Sequence, residues 1–234
     1  MVSRKKKSGF FIRNNKGFSL IEIAVVLIII GIIIGAIVKG KDIMRSAEQK
    51  KVYAKFVNGW NTAYMTFYDR TGKILGDTYN DNATGPGAGQ DGEADTAEGA
   101  SGDVTDAGRE DLYDGPAAPG EYIGLTQVGI SAPSTNMSTN YQYKYVDSAG
   151  GSHSLTVAFE YDATDKYNYM WVINCPNELG IALDTMVDSE ADGETGDFLC
   201  FNLANDDATP SAWGAAAVGT EPTDEVSFRW KMQF

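Results

Sequence analysis

The sequence predicts an α+β protein in which a long N-terminal helix, part transmembrane and part amphipathic, packs on a C-terminal antiparallel β-sheet. Three observations predict this fold. An unbroken apolar run occupies residues 18–38, an amphipathic stripe continues to about residue 70, and alternating aromatic-rich segments follow after residue 140. At 234 residues the chain has room for one sizeable core plus extensions.

Charge is unevenly distributed along the chain. Residues 1–17 contain six basic residues and no acidic one, whereas the whole chain has a formal charge of -13. Without that segment, 13 basic residues remain against 32 acidic ones, so the body has a formal charge near -19. Nucleic-acid binding needs a cationic surface facing the phosphates. We therefore expect no nucleic-acid partner for this body.

The apolar run FSLIEIAVVLIIIGIIIGAIV, residues 18–38, predicts a membrane-spanning helix. As a helix it would be about 31 Å long, close to the thickness of a bilayer's hydrocarbon core. Lys16 and Lys39 flank it, and the strongly basic N-terminal side is expected to stay cytoplasmic while the rest is exported. An ordinary secretory signal fits poorly, because the run is too long and no small-residue cleavage site follows it.

Glu22 is the one charged residue inside this run. A charge at the centre of a membrane span costs about 2.5–3.5 kcal/mol on insertion scales, so such a residue usually has a partner. The alternative is a plain membrane anchor in which Glu22 lies close enough to the interface to escape that cost.

The segment KGFSLIE, residues 16–22, followed by the apolar run, resembles the processing site of type IV prepilins and of type II secretion pseudopilins. The resemblance implies that a prepilin peptidase cuts between Gly17 and Phe18 and methylates the new N-terminus at Phe18. It also implies that Glu22 pairs with the terminal amine of a neighbouring subunit during assembly. The fold implied is the pilin fold, with the long helix laid against the sheet of the head.

The helical pattern continues after the span as an amphipathic helix. Gly59 weakens this helix by about 1 kcal/mol relative to alanine, and Thr71-Gly72 is expected to end it. We expect the apolar stripe to pack under a β-sheet. Its positions follow one another at spacings of four and three: Tyr53, Val57, Trp60, Tyr64 and Phe67.

The chain is accordingly divided into five parts. The segment 81–120 is rich in Gly, Ala, Asp and Glu, and we expect an exposed and partly disordered loop there. The parts are a cleaved basic leader (1–17), the transmembrane and filament-core helix (18–38), the amphipathic helix (39–72), an acidic Gly-rich variable loop (73–122) and a sheet head with a cysteine-bounded loop (123–234).

Three or four antiparallel strands are predicted for the head. The segments alternate in polarity or are rich in β-branched and aromatic residues. A turn beginning at Asp162 is expected to join the second and third. The predicted strands are 141–147, 154–162, 168–174 and 226–234.

Cys175 and Cys200 are the only cysteines, and in an exported chain they predict one disulfide. A bridge closing the loop between them would stabilise the fold by about 3.5 kcal/mol in the chain-entropy model.

That cysteine-bounded loop is acidic, and we interpret it as a plain solvated surface loop. The alternative is a loose calcium site; no other cofactor is expected. The sequence DSEADG partly fits a calcium-loop pattern, but Leu199 stands where the bidentate acid should fall. The candidate calcium ligands are Asp184, Asp188, Asp192 and Asp197.

We expect no enzymatic activity. The chain lacks a Walker loop, a dinucleotide fingerprint, an H-E-x-x-H helix and a G-x-S-x-G elbow. Its single histidine, His153, is interpreted as a surface residue of a strand.

The resemblance implies a structural subunit of a type IV pilus-like filament, serving adhesion, motility or DNA uptake. A pseudopilin of a type II secretion system is the first alternative, and a monomeric membrane-anchored binding protein is the second. The implied partners are copies of itself and other pilins, the prepilin peptidase, the inner membrane and an assembly platform. The implied location is the bacterial inner membrane with the head in the periplasm, and then a periplasmic or cell-surface filament.

Overall fold

The computed structural model describes residues 17–77, 92–94, 112–113, 124–162, 164–201, 209–215 and 220–234. The leader up to residue 16 and most of the predicted acidic loop (73–122) lie outside the described residues. The chain divides into two compact units, Met1–Met44 and Arg45–Phe234.

The long helix predicted from the apolar run and the amphipathic stripe is present. It comprises α1 (Leu20–Val52), a π-helical turn (Tyr53–Val57) and α2 (Asn58–Thr71). It ends where expected, because Gly72 adopts a left-handed conformation with φ 69° and its amide bonds to the carbonyl of Tyr68. Glycine takes this conformation without the steric penalty of a Cβ atom, which makes it a common helix stop.

The head contains five strands, β1 (Gln142–Val146), β2 (Ser152–Asp162), β3 (Tyr167–Pro176), β4 (Phe198–Phe201) and β5 (Glu225–Lys231). They form an antiparallel sheet in the order β1-β2-β3-β5-β4, which confirms the α+β fold. The sequence did not predict the strand β4, which contains Cys200, or the helix α3 (Asn177–Val187) within the cysteine-bounded loop.

The amphipathic stripe packs on one face of this sheet and forms the core of the head. The ring of Phe56 lies 5.3 Å from that of Tyr143 on β1, and the ring of Tyr64 lies 5.1 Å from that of Phe159 on β2. Trp60 is fully buried between them. Burying each large apolar side chain contributes about 1.5–3 kcal/mol, so this contact is a principal source of the head's stability.

The predicted disulfide between Cys175 and Cys200 is wrong, since both thiols are free and buried. Cys175 on β3 pairs with Val226, and Cys200 on β4 pairs with Phe228, so the whole of β5 lies between them. Adjacent strands are about 4.8 Å apart, which puts the two cysteines about 10 Å apart across the sheet. A disulfide needs Cα atoms within about 7 Å, and this strand order prevents it.

Candidate functional site

The first turn of the long helix is closed by Ser19 and Glu22. The Glu22 amide donates to Oγ of Ser19 at 3.2 Å, and the Ser19 amide donates to Oε2 of Glu22 at 3.4 Å. This reciprocal pattern is a capping box, which satisfies two of the amides that a helix N-terminus leaves without partners. The helix therefore begins immediately after the predicted cleavage position.

The apolar residues that follow are exposed in the isolated chain. None of residues 17–39 is buried, and Phe18 and Leu20 are 78% and 93% exposed. The helix is long and apolar enough to cross a membrane by length and composition. Exposed apolar surface of this extent requires lipid or other helices to cover it.

Glu22 has no ion-pair partner among the described residues of the first unit. The ion pair within those residues joins Lys39 and Asp42 instead. The Glu22 carboxylate contacts only one exposed backbone amide there, that of Ser19, which does not neutralise its charge. In an apolar environment an unpaired carboxylate is costly unless a cation is placed at the same depth. A cation at the depth of Glu22 would remove that cost.

Three of the four acidic residues predicted as calcium ligands, Asp184, Asp188 and Asp192, accept hydrogen bonds from the protein itself, while Asp197 is exposed. Asp188 Oδ2 accepts from the amides of Asp197 and Phe198 at 3.0 and 2.9 Å. Asp192 Oδ1 accepts from the amides of Glu194 and Thr195, both at 3.0 Å. In the part of the chain that the structure describes, no group of three or more histidine, cysteine, aspartate or glutamate side chains is placed to hold a metal ion.

Asp184 differs from the other three because it is fully buried. Its Oδ2 accepts from Nε1 of Trp213 at 2.5 Å and from the amide of Gly193 at 3.1 Å. Burial raises the pKa of the Asp184 carboxyl, although these two hydrogen bonds oppose the shift. Asp184 thus acts as an internal anchor for the loop.

The interpretation of His153 as a surface residue is wrong. This histidine lies on β2 as expected, but its side chain is buried between the carboxylates of Asp147 and Glu225. Alternating polarity along β2 could not reveal this, because Glu225 is 72 residues away in sequence.

Comparison with known proteins identifies the N-terminal signal. Residues 12–38 match the family described as "Prokaryotic N-terminal methylation motif", which is the prepilin-type signal of type IV pilins and pseudopilins. The match covers Gly17, Phe18 and Glu22 and leaves the head out. No curated protein matches the chain, and no solved structure does.

The signal and the fold together support a type IV pilin or pseudopilin. The signal implies processing by a prepilin peptidase and assembly with other pilins. The N-terminal apolar helix fits a membrane-anchored precursor.

Proposed function

We propose that this chain is a structural subunit of a type IV pilus-like filament, cut between Gly17 and Phe18 and assembled through the helix that follows. The observation that carries the proposal is the position of the methylation signal. It lies at the start of an exposed apolar helix whose one carboxylate in the span, Glu22, has no ion-pair partner among the described residues of its unit.

Cleavage would supply the missing cation. A cut after Gly17 leaves an α-amine on Phe18, which is charged at neutral pH. When helices associate side by side, the amine of one subunit meets Glu22 of another, and two charges that are each costly in lipid neutralise one another. Each subunit brings one positive and one negative charge, so every added subunit can neutralise the unpaired charge of the subunit added before it.

The exposed apolar run would supply the remaining contact between subunits. Before assembly, lipid covers it, with the chain crossing the inner membrane once and the head in the periplasm. After assembly on a membrane platform, neighbouring helices cover it. The head then lies on the filament surface, in a role that is structural rather than catalytic and serves adhesion, motility or DNA uptake.

A shearing experiment with charge variants tests this proposal. Filaments are sheared from cells that express the wild type, Glu22→Gln or Glu48→Gln, and the chain is quantified in the sheared and membrane fractions. Glu48→Gln is the matched control, because it removes the same charge from the same helix outside the apolar run. We expect the chain in sheared filaments for the wild type and the control, and retention in the membrane for Glu22→Gln.

Two outcomes would contradict parts of the proposal. Equal amounts of Glu22→Gln and wild type in the filaments would show that Glu22 is not needed for assembly. Filaments found only in the periplasm would contradict the pilus assignment and favour a pseudopilin.

A further inference from the structure

We propose that His153, protonated on both ring nitrogens, is a latch that holds the β1–β2 turn against the start of β5 and that opens when the pH rises. The latch consists of His153, Asp147 and Glu225 in the head. Its test is independent of the filament assignment, which rests on the N-terminal signal.

The geometry of the latch joins the β1–β2 turn and β2 to the start of β5, which is 72 residues away in sequence. Nε2 of His153 on β2 lies 2.8 Å from Oδ2 of Asp147 in the β1–β2 turn. Nδ1 lies 2.7 Å from Oε1 of Glu225, the first residue of β5. The histidine is only 7% exposed, and the Asp147 side chain is buried beside it, so little water can replace that contact. The Glu225 side chain is 46% exposed, so the Glu225 contact is the more open of the two.

These contacts require a charged imidazole ring. An ionised carboxylate can only accept hydrogen bonds, so both ring nitrogens of His153 must donate. Neutral imidazole has a single N–H, and its other nitrogen is an acceptor. Loss of one proton therefore turns either the Asp147 contact or the Glu225 contact into two acceptors facing each other at hydrogen-bond distance.

Asp147 connects the latch to the backbone of the turn. Its Oδ1 accepts from the amides of Ala149 and Gly151 at 2.8 and 2.7 Å, while its Oδ2 faces His153. Gly151 allows this close approach, because a Cβ atom there would lie 2.4 Å from Oδ2 of Asp147. A movement of the Asp147 carboxylate away from His153 would thus loosen the turn itself.

The other ionisable groups around the latch come from β1, α3, α1 and β3. Tyr145 stands opposite His153 on β1, and its hydroxyl donates to Oε1 of Glu178 on α3. That oxygen also accepts from the amide of Ser148 in the turn, and Oε2 lies 4.0 Å from Arg45. Burial raises the pKa of Tyr145 and of the Cys175 thiol on β3, so neither ionises near neutral pH.

The direction of the pH effect follows from the contacts. Burial lowers the pKa of His153, but the hydrogen bonds to Asp147 and Glu225 outweigh it, and the pKa is raised overall. A raised pKa in the folded state stabilises fully below the ordinary value of about 6.5, and the stabilisation is lost as pH rises through the raised value. The hydrogen bond from His153 lowers the pKa of Asp147, so the Asp147 carboxylate loses its charge only in acid.

The experiment uses the fact that the chain has one histidine, which gives one imidazole signal. The full chain in detergent micelles is labelled with 13C-histidine, and the Cε1–H resonance is followed against pH. Hydrogen exchange at the amides of Ala149 and Gly151 is measured in the same samples. We expect the His153 resonance to titrate with a midpoint above about pH 6.5. Above that midpoint, hydrogen exchange at Ala149 and Gly151 should accelerate with pH more steeply than the base-catalysed exchange of unrelated amides.

Three variants sharpen the test. Glu225→Gln should lower the midpoint, because one carboxylate is lost. Glu190→Gln removes an equal charge from an exposed loop position and should leave the midpoint unchanged. His153→Gln should abolish the excess pH dependence of turn exchange.

Three results would overturn the proposal. They are a wild-type midpoint at or below about 6.5, an equal midpoint in Glu225→Gln, and turn exchange with no excess pH dependence in the wild type. The Glu225→Gln titration decides the matter even if His153→Gln fails to fold.

Discussion

The carboxylate of Asp184 accepts a hydrogen bond from the indole nitrogen of Trp213 at 2.5 Å, and this bond joins α3 to the segment after β4. The indole also packs on α3, since a Cβ atom added to Gly180 would lie 2.4 Å from the ring. The amide of Trp213 donates to the carbonyl of Asp192 at 3.3 Å. These contacts hold together the segment between Cys175 and Cys200, which the sequence predicted to be closed by a disulfide.

Trp213→Phe should destabilise the head by about 1–3 kcal/mol, because it leaves a buried carboxyl without its strongest donor. Burial already raises the pKa of Asp184, and loss of the indole N–H should raise it further. A carboxyl with a raised folded-state pKa destabilises increasingly as pH rises through its ordinary value of about 4. The deficit should therefore be larger at neutral pH than in acid, as measured by urea unfolding of the full chain.

Trp171→Phe is the matched control for this prediction. The indole nitrogen of Trp171 is buried and has no hydrogen-bond partner among the described residues. Its replacement removes no such bond and should show no comparable pH dependence. An equal, pH-independent loss in both variants would mean that the Asp184 bond contributes nothing specific.

Both thiols should be free in the mature protein. Alkylation in denaturant without a reductant should add two labels to the intact mass, because β5 separates Cys175 from Cys200. Without denaturant both should react slowly, since burial raises the pKa of Cys175 and raises that of Cys200 to about 12. A chain that takes up label only after reduction would contradict this strand order.

Local patterns predicted the long helix, its end at Gly72, four of the five strands and the cleavage signal, because each is encoded by residues close in sequence. The strand β4 has four residues, too few to show alternation. The helix α3 does have a sequence signal, an apolar residue every four positions, at Leu179, Leu183 and Val187. Interpreting the segment as a loop closed by a disulfide left that helical spacing unused. The free cysteines and the His153 contacts depend on strand order, which no local pattern encodes.

Gly59→Ala should destabilise the head, although alanine normally favours a helix by about 1 kcal/mol. A Cβ atom at position 59 would lie 2.9 Å from Cβ of Pro133, and close packing gives little room for adjustment. The double variant with Pro133→Gly tests this explanation by thermal unfolding. Gly59→Ala should cost less on that background, and an unchanged cost would exclude the clash as its cause.

Millimolar calcium should leave the melting temperature of the head unchanged. Asp184, Asp188 and Asp192 already accept hydrogen bonds from the loop backbone, so a metal ion would have to displace those donors. Magnesium at the same concentration controls for screening of the acidic surface. A calcium-specific rise that is lost in Asp188→Asn would instead establish a metal site in this loop.

The intact mass and N-terminal residue of the protein from its native membrane test the central claim most directly, beside a Gly17→Ala variant. A Cβ atom at position 17 meets nothing within 4 Å, so the variant changes the signal without disturbing the described fold. We expect a wild-type chain that begins at methylated Phe18, and a sharp loss of that species in the variant. An uncut wild-type chain, or one cut after Val38, would contradict the assignment.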